Sequence, residues 1–144
     1  MGFGPAKADH RDAVIYRRTA EAFRSRDLKS VADGIHDDVA WHFPGRSWLA
    51  GEIRGREALL GYLRELVRRT ANTFLLEDLH IAGTDHHLVA LQRFGATVEG
   101  ETQRFEATSV MRYEGGRQIE RWFYLADLPA FEQFFSKFDG REVS

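Results

Sequence analysis

Residues 113–131 read YEGGRQIERWFYLADLPAF, and this stretch decides the fold. Glu114-Gly115-Gly116-Arg117 is a hairpin turn, because its glycines supply the positive φ that tight connections need. Gln118 to Ala126 follows as a strand. Trp122 and Tyr124 share one face of it, and Arg121, Phe123 and Leu125 share the other. Asp127 then caps a helix. Pro129 is tolerated in its first turn, and Leu128, Phe131, Phe134, Phe135 and Phe138 make its apolar side.

Read backwards from the hairpin, the period stays at two. Thr102 to Tyr113, His87 to Val98 and Thr73 to Ala82 are strands. The turns between them fall at Glu99-Gly100-Glu101 and Gly83-Thr84-Asp85-His86. Before Thr73 the period becomes helical. Arg56 opens a helix with Leu59, Tyr62, Leu63, Leu66, Val67 and Thr70 on one face. Pro44 to Gly55 is a loop that carries Trp48. Val39 to Phe43 is the first strand, after a break at Asp37-Asp38. Asp27 caps a short helix from Leu28 to Ile35, and Asp9 to Arg26 forms a longer one. Helices come mostly first and hairpins later, which is α+β logic. A curved, mostly antiparallel sheet wrapped around the early helices makes a cone-shaped barrel. Its open end lies near residues 44–51 and the C-terminal segment. Residues 9–138 form a single domain, with loose tails at 1–8 and 139–144.

Composition narrows the function. The 144 residues are 43% hydrophobic and include eleven phenylalanines, so the chain supports a core without staples. It has no cysteine, which excludes disulfides, thiolate zinc sites and cysteine nucleophiles and fits a cytoplasmic protein. The formal net charge is −2. Nucleic-acid binders show a basic surplus, so no nucleic-acid partner is expected. No apolar run reaches the ~18 residues of a membrane span. The start, MGFGPAKADH, has no signal-peptide apolar region and fails the myristoylation pattern at Ala6.

The order of elements resembles the nuclear transport factor 2-like superfamily, in its SnoaL-like branch. Three stretches carry the resemblance: DLKSVADGIHDDVAWHFPG (27–45), LAGEIRGREAL (49–59) and YEGGRQIERWFYLADLPAF (113–131). It runs from about residue 12 to residue 136. That superfamily includes ketosteroid isomerases, polyketide cyclases, limonene epoxide hydrolases and dehydratases. The resemblance implies a cofactor-free acid–base enzyme acting on an apolar polyketide- or terpene-like molecule, or a non-catalytic binding or dimerisation module. Phe43 stands where the isomerases place their basic aspartate, and Ser109 falls where they place an acidic oxyanion donor. His42 takes the place of an asparagine that helps hold water in the epoxide hydrolase. Tyr124 stands where that hydrolase has an aspartate, two residues after a tryptophan. Asp127 lies near the late aspartate of the cyclases, although a helix cap is its simpler role.

His42 is the leading catalytic candidate, because imidazole as a side-chain type can both give and take a proton at working pH. A core histidine bonded to a backbone carbonyl is the alternative. Tyr124 is the second candidate, as a donor to a developing oxyanion. Trp41, Trp48, Phe94, Phe105, Met111 and Trp122 are the expected walls of a small-molecule site. Arg93 and Glu106 on neighbouring strands make either a polar site or a cross-strand pair on the outer face. The Asp85-His86-His87 turn has no second set of ligands at metal spacing, so no metal and no cofactor are expected. The expected partners are an apolar small-molecule ligand and a second copy in a homodimer.

Overall fold

The computed structural model describes residues 10–139. The tails expected at 1–8 and 139–144 lie, apart from Asp139, outside the described residues. The elements run α1 (Arg11–Arg24), α2 (Leu28–Asp33), β1 (Ile35–Phe43), β2 (Gly51–Arg54), α3 (Arg56–Arg69), β3 (Leu75–Gly83), β4 (Leu88–Val98), β5 (Glu101–Glu114), β6 (Arg117–Leu125) and α4 (Leu128–Phe135). A short 3₁₀ turn (Ser136–Phe138) follows. The six strands form one curved sheet in the order β2-β1-β6-β5-β4-β3. Only β1 and β6 are parallel; the other neighbours are antiparallel. β2 and β3 remain edges, so the cone does not close. Among the described residues no helix is long and apolar enough to cross a membrane.

Local chemistry sets the boundaries. The ring Nδ1 of His10 caps α1 by accepting from the Asp12 N–H at 3.1 Å. Asp27 caps α2 through the Ser30 N–H at 3.1 Å, and Asp127 caps α4 through the Ala130 N–H at 3.1 Å. Each satisfies one orphan donor of a helix N-terminus. Three sequence expectations are corrected. α2 ends at Asp33, and β1 already begins at Ile35. The Gly34 carbonyl accepts from the Gln118 N–H at 2.9 Å, which starts the parallel pairing with β6. Asp37 and Asp38, expected to separate the helix from the strand, lie within β1 itself. They are exposed in the irregular stretch between Ile35 and Ala40, where the register shifts. The loop expected at 44–55 also contains β2, which pairs with β1 through Trp41↔Ile53 and Phe43↔Gly51.

One face of the sheet meets the helices. It presents Val39, Trp41, Phe94, Ala107, Met111 and Phe123, all buried. α4 closes one end with an aromatic cluster. The Phe131 and Phe135 rings stack 4.4 Å apart, and Phe105 meets Phe134 at 5.4 Å. Each buried phenylalanine removes enough apolar surface to contribute about 1.5–3 kcal/mol. The Glu132 carboxylate of α4 accepts the N–H groups of Arg46 and Ser47. The Trp48 indole donates to the Phe135 carbonyl at 2.9 Å. These bonds fasten the loop at 44–50 to the last helix.

Candidate functional site

Between the helices and the sheet lies a cavity of about 70 Å³, several times the ~10–15 Å³ that one water needs. Aromatic rings dominate its wall, from Phe23 on α1 to Phe43, Phe94 and Phe123 on the sheet. Val31, Ile35, Leu49, Leu63 and Leu66 add aliphatic surface. The polar lining side chains are Tyr16, Thr19, Tyr62, Gln118, Arg121 and the Trp41 indole. Among the described residues, no carboxylate and no imidazole lines it.

Arg121 is the unusual member. It projects from β6 to the helical side and is only 5% exposed. Its Nε and Nη2 donate to the Ser109 hydroxyl oxygen at 3.1 and 3.0 Å, and Nη2 also donates to Gln92 Oε1 at 3.1 Å. The Ser109 hydroxyl donates to Gln92 Oε1 at 2.6 Å. Aromatic faces surround the guanidinium. It lies 4.5 Å from the Phe123 ring centre, 5.0 Å from that of Trp41 and 5.4 Å from that of Tyr16. Such faces attract a cation but bring no counter-charge.

A second layer holds this group in place. Gln92 Nε2 donates to the Tyr16 hydroxyl oxygen at 2.6 Å and to Asp78 Oδ1 at 2.8 Å. The Tyr16 hydroxyl donates to Asp78 Oδ1 at 3.0 Å. Arg24 closes the chain with a 2.7 Å ion pair to Asp78 Oδ2. Burial pushes the Tyr16 phenol up to about 12, against the opposing pull of Arg121 and with a further push from Asp78. Tyr16 is therefore a permanent donor at neutral pH. Burial also raises the Tyr62 phenol, whose hydroxyl donates to the Leu49 carbonyl at 2.8 Å. On the sheet side, the Trp41 indole donates to Gln118 Oε1 at 2.7 Å.

The residues singled out from sequence divide between the two faces. Trp41 and Phe94 line the cavity. Phe105 and Met111 point the same way but are spent on packing. Phe105 sits among Phe131, Phe134 and Phe135, and Met111 is fully buried beside Tyr16 and Leu88. Trp48 seals the edge and faces the Arg69 guanidinium at 4.6 Å. His42, Trp122 and Tyr124 lie on the opposite face, which corrects their expected place in the cavity. Strand alternation is the reason: Trp41 and Phe43 turn inward, so His42 turns outward. There His42 stacks on Trp122, with ring centres 5.6 Å apart. Its Nε2 lies 2.8 Å from Glu120 Oε2, and its Nδ1 lies 3.4 Å from Glu52 Oε2. Arg112 holds the other oxygen of Glu120 at 2.7 Å. Tyr124 is 57% exposed. Arg93 and Glu106 are register partners on that outer face. Ser109 holds Arg121 rather than bounding the cavity.

Sequence reasoning missed Arg121, Tyr16 and Gln92. A signal existed: Arg121 alternates with Phe123 and Leu125 on one face of β6. The equally aromatic Trp122 and Tyr124 on the other face masked it.

Residues 16–122 match the model of the SnoaL-like domain. The uncharacterized protein Rv0034 of Mycobacterium tuberculosis is 28% identical over 130 residues, which are 89% of this chain and 98% of the relative. The structure of Bal32a, from a soil-derived mobile gene cassette, superposes with a TM-score of 0.80 and 30% identity, covering 86% of this chain and 95% of that one. IdmH of Streptomyces antibioticus, for which polyketide cyclase activity is proposed, superposes with a TM-score of 0.71 at 19% identity, over 87% of this chain and 99% of its own. At that identity the likeness concerns the fold.

Proposed function

The chain belongs to the SnoaL-like domain family, on the nuclear transport factor 2-like fold, and from that membership we propose that its cavity is a cofactor-free site for an apolar, polyketide-like carbonyl compound. The reaction is of the isomerase or cyclase type. The observation that carries this reading is one buried cation, Arg121, in a cavity lined among the described residues by aromatic, aliphatic and neutral polar side chains. Enolising a carbonyl compound puts negative charge on its oxygen. A fixed guanidinium in a largely apolar, low-dielectric site stabilises that charge far more than bulk water does. The proton leaves the adjacent carbon to water and returns to the rearranged carbon skeleton, so no net proton is consumed. Arg121 acts on the oxygen. Ser109 and Gln92 hold the guanidinium, and Tyr16 holds Gln92. The aromatic walls orient the ring system.

A second reading has a specific observation in its favour. The described cavity lining offers no carboxylate and no imidazole to take the proton, as a non-catalytic binding protein requires. Hydrogen–deuterium exchange separates the two. A bicyclic ketone such as 2-tetralone is incubated in deuterated buffer and followed by proton NMR. Loss of its α-proton signals faster with wild type than with Arg121→Met is the expected result. A ketone that binds but exchanges at the buffer rate makes the protein a carrier or sensor.

A further inference from the structure

The charges around Arg121 do not balance. Its hydrogen-bond partners, Ser109 and Gln92, are neutral, and its three ring neighbours are neutral. No carboxylate among the described residues lies within ion-pair distance of it; the one in its network, Asp78, is reached through Gln92 and Tyr16. Asp78 is already neutralised by Arg24 at 2.7 Å and receives the Tyr16 hydroxyl as well. Arginine keeps its charge in proteins, and a buried charge without a partner is costly. Such a group is retained where something else supplies the counter-charge.

The surroundings of the guanidinium show where. Nε and Nη2 are engaged with Ser109 and Gln92, and the guanidinium also bears on the Tyr16 hydroxyl, whose phenol it pulls down against the push of burial. All of these partners are neutral. The cavity is the space that Arg121 lines. Flat aromatic surface flanks it on the sheet side, in Trp41 and Phe123. We infer that the resting ligand is a planar organic monoanion, a carboxylate or an ionised enol such as a 1,3-dicarbonyl, whose charged oxygen meets the Arg121 guanidinium and whose rings lie against Trp41 and Phe123. The inference rests on the cavity reading proposed above and names its substrate class.

Matched pairs of probes test it by calorimetry on the full chain. 2-Naphthoate is compared with 2-naphthamide, benzoate with benzamide, and 4-hydroxycoumarin, an enol ionised at neutral pH, with neutral 4-methoxycoumarin. Each anion is expected to bind wild type about tenfold or more tightly than its neutral partner, as a charge-assisted hydrogen bond predicts. The ratio falls to near one in Arg121→Met and in Arg121→Gln, with folding checked by circular dichroism. The wild-type ratios decide the matter even if neither variant folds. Preference for the coumarin pair alone assigns the site to enolates, and preference for the two acids alone assigns it to carboxylates. Neutral and anionic partners binding equally well would overturn the charge inference and leave the cavity reading standing. Binding of none of the six would overturn both.

Discussion

Arg121 and Ser109 are joined twice across neighbouring strands, Nε and Nη2 both donating to one hydroxyl oxygen at 3.1 and 3.0 Å. That relationship gives the two residues opposite mutational signatures. Ser109→Ala leaves Nε of a buried cation unpaired and is expected to cost about 1–3 kcal/mol in urea unfolding. Arg121→Met replaces the cation by an apolar chain of similar length, and Ser109 keeps Gln92 as its acceptor. Such replacements are often neutral, so Arg121→Met is expected to stay nearer to wild type in stability while losing the site's chemistry. The reverse order of stabilities contradicts this account of the network.

Tyr16 makes stability depend on alkaline pH. Its phenol is raised from 10.0 to about 12 by burial. Between those values the folded state holds a proton that the unfolded state releases. The stabilisation is complete below about pH 10 and is lost as pH rises towards 12, amounting to about 3 kcal/mol from this group. Tyr62 and Tyr113 are raised too, and they steepen the wild-type curve further. Urea midpoints measured from pH 9 to 12 should therefore fall less steeply in Tyr16→Phe than in wild type. Parallel curves would show that Tyr16 does not titrate with unfolding.

His42 is separated from the cavity by the thickness of the sheet. His42→Ala should leave ligand binding and α-proton exchange unchanged. It removes the stack on Trp122 and the contact with Glu120, so a small loss of thermal stability is the expected effect. Loss of ligand exchange in this variant would return the chemistry to the outer face.

The outer face carries an exposed apolar strip beside its charged pairs. Val89, Leu91 and Tyr124 are 37%, 43% and 57% exposed. The register aligns Val89, Val110, Trp122 and His42 in one row, with Leu91, Thr108 and Tyr124 in the next. A contiguous patch of this kind calls for a cover, and we expect a second copy of the chain to provide it. Sedimentation equilibrium should show a dimer for wild type and a monomer for Leu91→Glu. A wild-type monomer at micromolar concentration contradicts the expectation.

The fold was legible because its signals are local. Asp27 and Asp127 announce their helices, the Gly115-Gly116 pair announces its hairpin, and period-two runs mark β3 to β6. The short β2 was not legible, since Ile53 is its lone apolar residue and the strand is defined by its pairing with β1. The site was harder to read because it depends on which face of each strand turns inward. β6 carries large side chains on both faces, Arg121 and Phe123 against Trp122 and Tyr124. Nothing local ranks a buried arginine above an outward tryptophan. Only Gln92 and Ser109, brought from β4 and β5 by the sheet register, make Arg121 an interior residue.

The most direct test uses the three tryptophans, one on each candidate surface. Their indole N–H signals are assigned in a proton–nitrogen correlation spectrum with Trp41→Phe, Trp48→Phe and Trp122→Phe variants, and wild type is then titrated with 2-naphthoate. Trp41 borders the cavity and Trp122 stacks on His42 outside it. The account predicts that the Trp41 signal moves with saturation while the Trp122 signal holds still. Movement of Trp122 with Trp41 unmoved would place the ligand on the outer face and contradict the cavity as the functional site.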